Sequence, residues 1–128
     1  MRGAPRFCWP LLRSGPGLQA GVLSAAQYDE FALPYQRAIV DEVRRRHPTT
    51  PVVLYARGDV GVARMAAAGA QVLAVDHTVD LADARRAAGA RRVLQGNVDP
   101  AVLLQGRDEI ERAVAKCLAD GGGPGRHI

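Results

Sequence analysis

Val52-Val53-Leu54-Tyr55-Ala56 is a short apolar run, β-branched at its start, and the pattern returns as Gln71-Val72-Leu73-Ala74-Val75 and again as Arg92-Val93-Leu94-Gln95. None of the three shows the polar/apolar alternation of a half-exposed strand, so each is expected to be a strand covered on both faces, as in a parallel sheet. A turn and a helical stretch follow each run. Gly58 leads into a helix over Val60 to Ala68, and Gly69 stands where a left-handed C-terminal residue is wanted. Asp76 to Val79 form the exit loop of the second run, Asp80 is placed to cap a helix from Leu81 to Ala88, and Gly89 stops that helix. After the third run come Gly96-Asn97-Val98-Asp99, with Pro100 suited to a first helical position. A longer helix from Asp108 to Ala119 should turn Ile110, Val114, Cys117 and Leu118 to the core before the Gly121-Gly122-Gly123 stop. Loops this short admit only right-handed parallel crossovers, so the expected fold class is α/β with about three parallel βα units. An open doubly wound sheet and a barrel fit this pattern equally. A closed barrel takes about 250 residues, so in the barrel case the chain holds only part of one.

Upstream, Ser24 and Gln27 have the spacing of a capping box, in which the hydroxyl accepts a free backbone N–H and the amide reaches back. Pro34 has no N–H to give, so the helix begun there should kink or restart, with a second helix from Pro34 to Arg46. Its apolar stripe is Ile39, Val40 and Val43, and Arg44, Arg45 and Arg46 occupy the negative end of its dipole. Residues 1–18 carry neither helical nor strand periodicity, and Pro5, Pro10, Gly15, Pro16 and Gly17 interrupt them. The expected division is an irregular or disordered segment over 1–18 and a partial-barrel domain over 19–128.

The composition of the 128 residues, 48% hydrophobic and 23% charged, is that of an ordinary globular chain. A net charge of +4 could suggest nucleic acid, but the arginines are scattered along helices, Arg44-Arg45-Arg46 is the only run, and no aromatic residues interleave with it. A solvated helix face accounts for the charge, and no nucleic-acid partner is expected. Cys8 and Cys117 lie far apart with no second ligand at metal spacing, so neither a zinc site nor a disulfide framework is expected, which fits a reducing cytoplasmic setting. No apolar run approaches the roughly 20 residues that cross a bilayer, and no membrane partner is expected.

Both candidate folds bind ligands beyond the C-terminal ends of their strands. The residues to weigh are therefore Tyr55, Arg57 and Asp59; Asp76, His77 and Thr78; and Gln95, Asn97 and Asp99. Asp59, Asp80 and Asp99 each precede a helix and are expected to cap it. Asp76, Gln95 and Asn97 are the candidate substrate-binding residues, because a carboxylate or amide ending an apolar strand must be held by specific partners. His47 and His77 are lone histidines and read as loop or surface residues. The glycines at 58–61 and 121–125 match no dinucleotide or phosphate-loop order. With Ser14 and Ser24 as the only serines, no Ser-His-Asp set is supported, and no catalytic residue is assigned.

Four blocks in order and spacing, Phe31-Ala32-Leu33-Pro34-Tyr35, Leu54-Tyr55-Ala56-Arg57-Gly58, Val75-Asp76-His77-Thr78-Val79 and Leu94-Gln95-Gly96-Asn97-Val98-Asp99-Pro100, resemble the later part of the uroporphyrinogen decarboxylase family. The resemblance covers about Ala20 to Ile128. It implies a partial (β/α)8 TIM barrel belonging to a cytoplasmic homodimer that decarboxylates the acetate side chains of uroporphyrinogen III to coproporphyrinogen III. It implies no metal or organic cofactor. It also places the family's Arg-bearing segment, essential Asp and mid-chain Tyr before residue 1, and the Gly-His-Gly turn beyond Ile128, so His127 is not that histidine. A substrate-binding Ser or Thr of the family falls at Leu18, and Asp76-His77 replaces its usual Asp-Trp. None of the family's principal catalytic or binding side chains carries over, and the isolated chain is expected to lack decarboxylase activity.

Two other possibilities follow from the same residues. A zinc-dependent methyltransferase of the same superfamily would need a His-x-Cys pair where this chain has Tyr55-Ala56-Arg57, and neither residue is a suitable ligand. A non-catalytic fragment, or a split-gene piece that needs a complementing chain, would expose unpaired strand edges and an uncovered face.

Overall fold

The computed structural model describes residues 11–13, 23–58 and 60–128. Four short strands, β1 (Leu11–Arg13), β2 (Val53–Tyr55), β3 (Val72–Ala74) and β4 (Val93–Gln95), pair in chain order, each parallel to the next. Helices α1 (Ala25–Phe31) and α2 (Leu33–Arg46) join β1 to β2, α3 (Val62–Ala67) joins β2 to β3, and α4 (Leu81–Ala88) joins β3 to β4. Beyond β4 come a 3-10 helix (Pro100–Leu104) and α5 (Arg107–Asp120). The parallel α/β class expected from the three apolar runs is what forms, as an arc of barrel.

Two stretches of sheet lie outside the three strands that the pattern marked. One is β1, inside the segment to which periodicity assigned no element; three residues are too few to show a period, and their partner is β2. The other begins at residue 126. The Leu94 N–H donates to the Arg126 carbonyl, and the Ile128 N–H donates to the Leu94 carbonyl, each at 2.9 Å, while the Gly96 N–H donates to the Ile128 carbonyl at 3.1 Å. These bonds lay the chain parallel to β4, bridging Leu94 and His127. The preceding glycines and Pro124 concealed that strand direction.

The helix boundaries follow local chemistry. Both halves of the Ser24–Gln27 capping box form, at 3.2 and 2.9 Å. The chain restarts at Leu33 with Pro34 in the first turn, and Asp80 caps α4 by accepting the Asp83 N–H at 2.8 Å. Gly69 and Gly89 take positive φ, +90° and +75°, where a β-carbon would be strained. Helix α3 starts two residues later than expected, behind Gly61, and the proposed cap Asp59 lies outside the described residues. Asp99 does cap the following turn, accepting the Ala101 N–H at 2.8 Å, but that turn is a 3-10 helix.

The core lies between the sheet and α2, α3 and α4. Leu54, Leu73 and Leu94 stand in register on one sheet face and are almost wholly buried with Val40, Met65, Ala66 and Ala84. Helix α5 departs from expectation. Cys117 packs against the core, but Val114 is 41% exposed, Leu118 is 51% exposed, and no residue of the helix is fully buried. Cys117 marks the edge of its apolar stripe that meets the core, and Ile110 is half-buried. Ile39 of the α2 stripe is likewise exposed, whereas Val40 is buried and Val43 is half-buried against the core.

Candidate functional site at the strand ends

Side chains alternate across a strand, so the face opposite the Leu54–Leu73–Leu94 row carries two others. Val53, Val72 and Val93 form the lower row; Tyr55, Ala74 and Gln95 form the row at the C-terminal ends, in backbone register with Arg13. The lower row is mostly buried and the upper one half-exposed. A floor of apolar side chains thus rises to a rim bearing a phenol and an amide. That rim is where a barrel of this kind receives its ligand.

Asp76, two residues beyond the end of β3, is the only charged residue among the described ones to be buried, at 8% exposure. Its Oδ1 accepts the Thr78 N–H at 3.0 Å and the Thr78 hydroxyl at 2.9 Å, with His77 Nδ1 at 3.3 Å. The Tyr55 hydroxyl donates to Oδ2 at a long 3.5 Å, and the Gly58 N–H donates to the same carboxylate. Burial by itself would raise the pKa of this carboxyl. The donors from Thr78 and Gly58, with the nearby His77, outweigh it and hold the pKa below the ordinary carboxylate value. Asp76 is therefore an anion at neutral pH, and it ties the exit of β2 to the exit of β3.

Asn97, beyond β4, makes the next tie. Its Nδ2 donates to the Val79 carbonyl at 2.6 Å and to the Asp76 carbonyl at 3.0 Å, holding the β3 exit loop from the other side. Its backbone N–H donates to Cys117 Sγ at 3.2 Å, and the Cys117 thiol donates to the Gly96 carbonyl at the same distance. His127 Nε2 also meets that carbonyl, and the imidazole lies over Gly121. Beside this network is an open cavity of about 490 Å³, lined by His77, Thr78, Asn97, Asp99, Lys116 and Cys117 among others. Lys116 pairs with Asp120, whose hydrogen bond and charge raise the ammonium pKa.

Of the three candidate binding residues, the fold joins Asp76 to Asn97 and sets Gln95 apart. The Gln95 backbone carbonyl accepts the Val75 N–H at 3.0 Å, while its side chain belongs to the face opposite the Leu54–Leu73–Leu94 row. Asp76 and Asn97 use much of their polar capacity on the loops themselves. Cys117 was expected only as a core residue of α5, and its contact with the Gly96–Asn97 peptide has no local signal, since the partners are twenty positions apart. His127 faces the helical layer, not the rim. Among the described residues no group of three or more His, Cys, Asp or Glu is placed to hold a metal ion, and no helix is long and apolar enough to cross a membrane.

A sequence model of the family described as uroporphyrinogen decarboxylase (URO-D) matches residues 18–128. Proteins named uroporphyrinogen decarboxylase from strains of Picosynechococcus and Synechocystis are each 44% identical over 110 residues, covering 85% of this chain and 31% of their own length. The protein of that name from Gloeobacter violaceus is 42% identical over the same shares. The chain thus spans about a third of the length of these curated relatives.

Proposed function

The chain belongs to the uroporphyrinogen decarboxylase family, and from that premise we propose that it is a portion of a carboxy-lyase acting on uroporphyrinogen III. The reaction is removal of the acetate carboxyl groups to give coproporphyrinogen III, in the cytoplasm and in a full-length homodimer, with neither nucleic acid nor a membrane as partner. The observation that carries this is the family match across 18–128, whose four blocks include the segments that end β2, β3 and β4.

In this proposal Gln95 offers its amide to substrate from the rim, and Asp76 and Asn97 shape the pocket. An Asp76 that is ionised at neutral pH suits that role better than direct contact with the substrate's carboxylates, which it would repel. A preorganised, partly dehydrated rim is where fixed dipoles stabilise developing charge most effectively.

A second possibility, a piece inactive without a complementing chain, is favoured by one observation: Val114 and Leu118 of α5 lie exposed. An anaerobic assay of uroporphyrinogen turnover distinguishes the two. The purified 128-residue chain alone is expected to produce no coproporphyrinogen, and mixing it with a polypeptide supplying the rest of the barrel is expected to restore turnover. Turnover by the chain alone would overturn the second possibility, and failure of every mixture, with the chain folded, would count against the decarboxylase proposal.

A further inference from the structure

Three strand exits meet at the rim, and each is tied to its neighbour by a buried or half-buried polar side chain. The β2 exit is tied at Gly58, whose N–H donates to the Asp76 carboxylate, and at Tyr55, whose hydroxyl approaches it. Within the β3 exit loop Thr78 donates to that same carboxylate, and the loop is tied to the β4 exit by its Asp76 and Val79 carbonyls, which accept from the Asn97 amide. The β4 exit is held to α5 by the two bonds between Cys117 and the Gly96–Asn97 peptide. The bonds run in series, from Gly58 through Asp76 and Asn97 to Cys117, so the inner partners cannot separate without leaving polar groups unpaired at several points.

From this series we infer that the exits of β2, β3 and β4 open and close as one cooperative unit, with Asp76 and Asn97 as its two latches. Loops that merely decorate a sheet fray separately, each with its own small opening free energy. Here release of Asn97 removes the donor that the Asp76 and Val79 carbonyls share, the β3 loop is freed from the β4 exit, and as Asp76 moves with that loop the Gly58 N–H loses its acceptor. Any molecule that orders one exit would thereby order all three. The inference concerns the motion of the rim and does not depend on the proposed decarboxylation.

Native-state hydrogen exchange on the purified 128-residue chain, read at single amides across low denaturant, tests it. In the wild type the Gly58, Thr78 and Asn97 amides are expected to share one opening equilibrium, within about threefold. Asn97→Ala is expected to speed exchange at Gly58 by about tenfold or more while leaving the β3 strand amides unchanged. Unequal wild-type openings, or a Gly58 amide indifferent to Asn97→Ala, would overturn the inference. If that variant also deprotects β3, signalling general unfolding, the wild-type comparison decides alone. A wild-type chain with unprotected β3 amides refutes it too, since exits of an unformed sheet make no unit.

Discussion

The side-chain amide of Asn97 donates to the carbonyl oxygen of Val79 at 2.6 Å, across the gap between two neighbouring strand exits. Its second bond, to the Asp76 carbonyl, makes one amide the donor to two carbonyls of the same loop. Asn97→Ala leaves both carbonyls without that donor in a half-buried setting. The expected loss is about 1–3 kcal/mol, read as a lower urea midpoint at unchanged slope. A midpoint equal to wild type would show that solvent replaces the amide without cost.

Asp76 makes stability depend on acid. Its folded pKa lies below the ordinary value, so the unfolded chain binds the proton more readily. The contribution is complete above the unfolded pKa of about 3.9 and is lost as pH falls through the folded value. Wild-type stability should therefore fall on acidification below about pH 4 more steeply than that of Asp76→Asn, which has no charge there to lose. Denaturant melts of the two proteins at a series of pH values measure the difference in slope. Parallel curves would contradict the assignment.

Gly121 has an ordinary helical φ of −68°, so its side chain is absent for space and not for backbone freedom. A β-carbon there would come against the His127 ring. Gly121→Ala is expected to displace residues 126–128 from β4 and to cost about 1–3 kcal/mol, as overpacking does. Loss of NMR contacts between Leu94 and Ile128 would mark the displacement. Gly121→Ala combined with His127→Gly, which removes both the ring and the β-carbon that would lie 2.8 Å away, should relieve the clash and recover part of the loss.

Leu73 and Leu118 test where the core ends. Leu73 is wholly buried at the centre of the sheet, and Leu73→Ala is expected to cost about 2–5 kcal/mol. Leu118 is half-exposed on α5, so Leu118→Ala should fall within about 0.5 kcal/mol of wild type in the isolated chain. Thermal melts of both variants give the comparison. A large loss at Leu118 would mean that α5 is covered in solution, by association of the chain with itself or with another molecule.

Much of this architecture is legible in local pattern. The runs around Leu54, Leu73 and Leu94 identify buried strands because lateral covering removes the need for polar alternation. Ser24, Asp80, Gly69 and Gly89 mark helix ends because capping and positive φ are properties of one or a few adjacent residues. What remained hidden was non-local. Strand β1 and the pairing of residues 126–128 exist through their partners β2 and β4, and no three-residue stretch announces a partner.

The candidate site divides along the same line. Sequence alone determined which residues stand at the strand exits, Asp76, Gln95 and Asn97 among them, because position after an apolar run depends only on neighbours in the chain. Tertiary structure alone decided what those residues do there: that the Asp76 carboxylate receives Thr78 and Gly58, that the Asn97 amide closes on Val79 and Asp76, and that Cys117 secures the Gly96–Asn97 peptide. It also decided that Val114 and Leu118, apolar at helical spacing, face outward. Hydrogen bonding and burial depend on distance in space, and a one-dimensional pattern carries that distance only for residues a few positions apart.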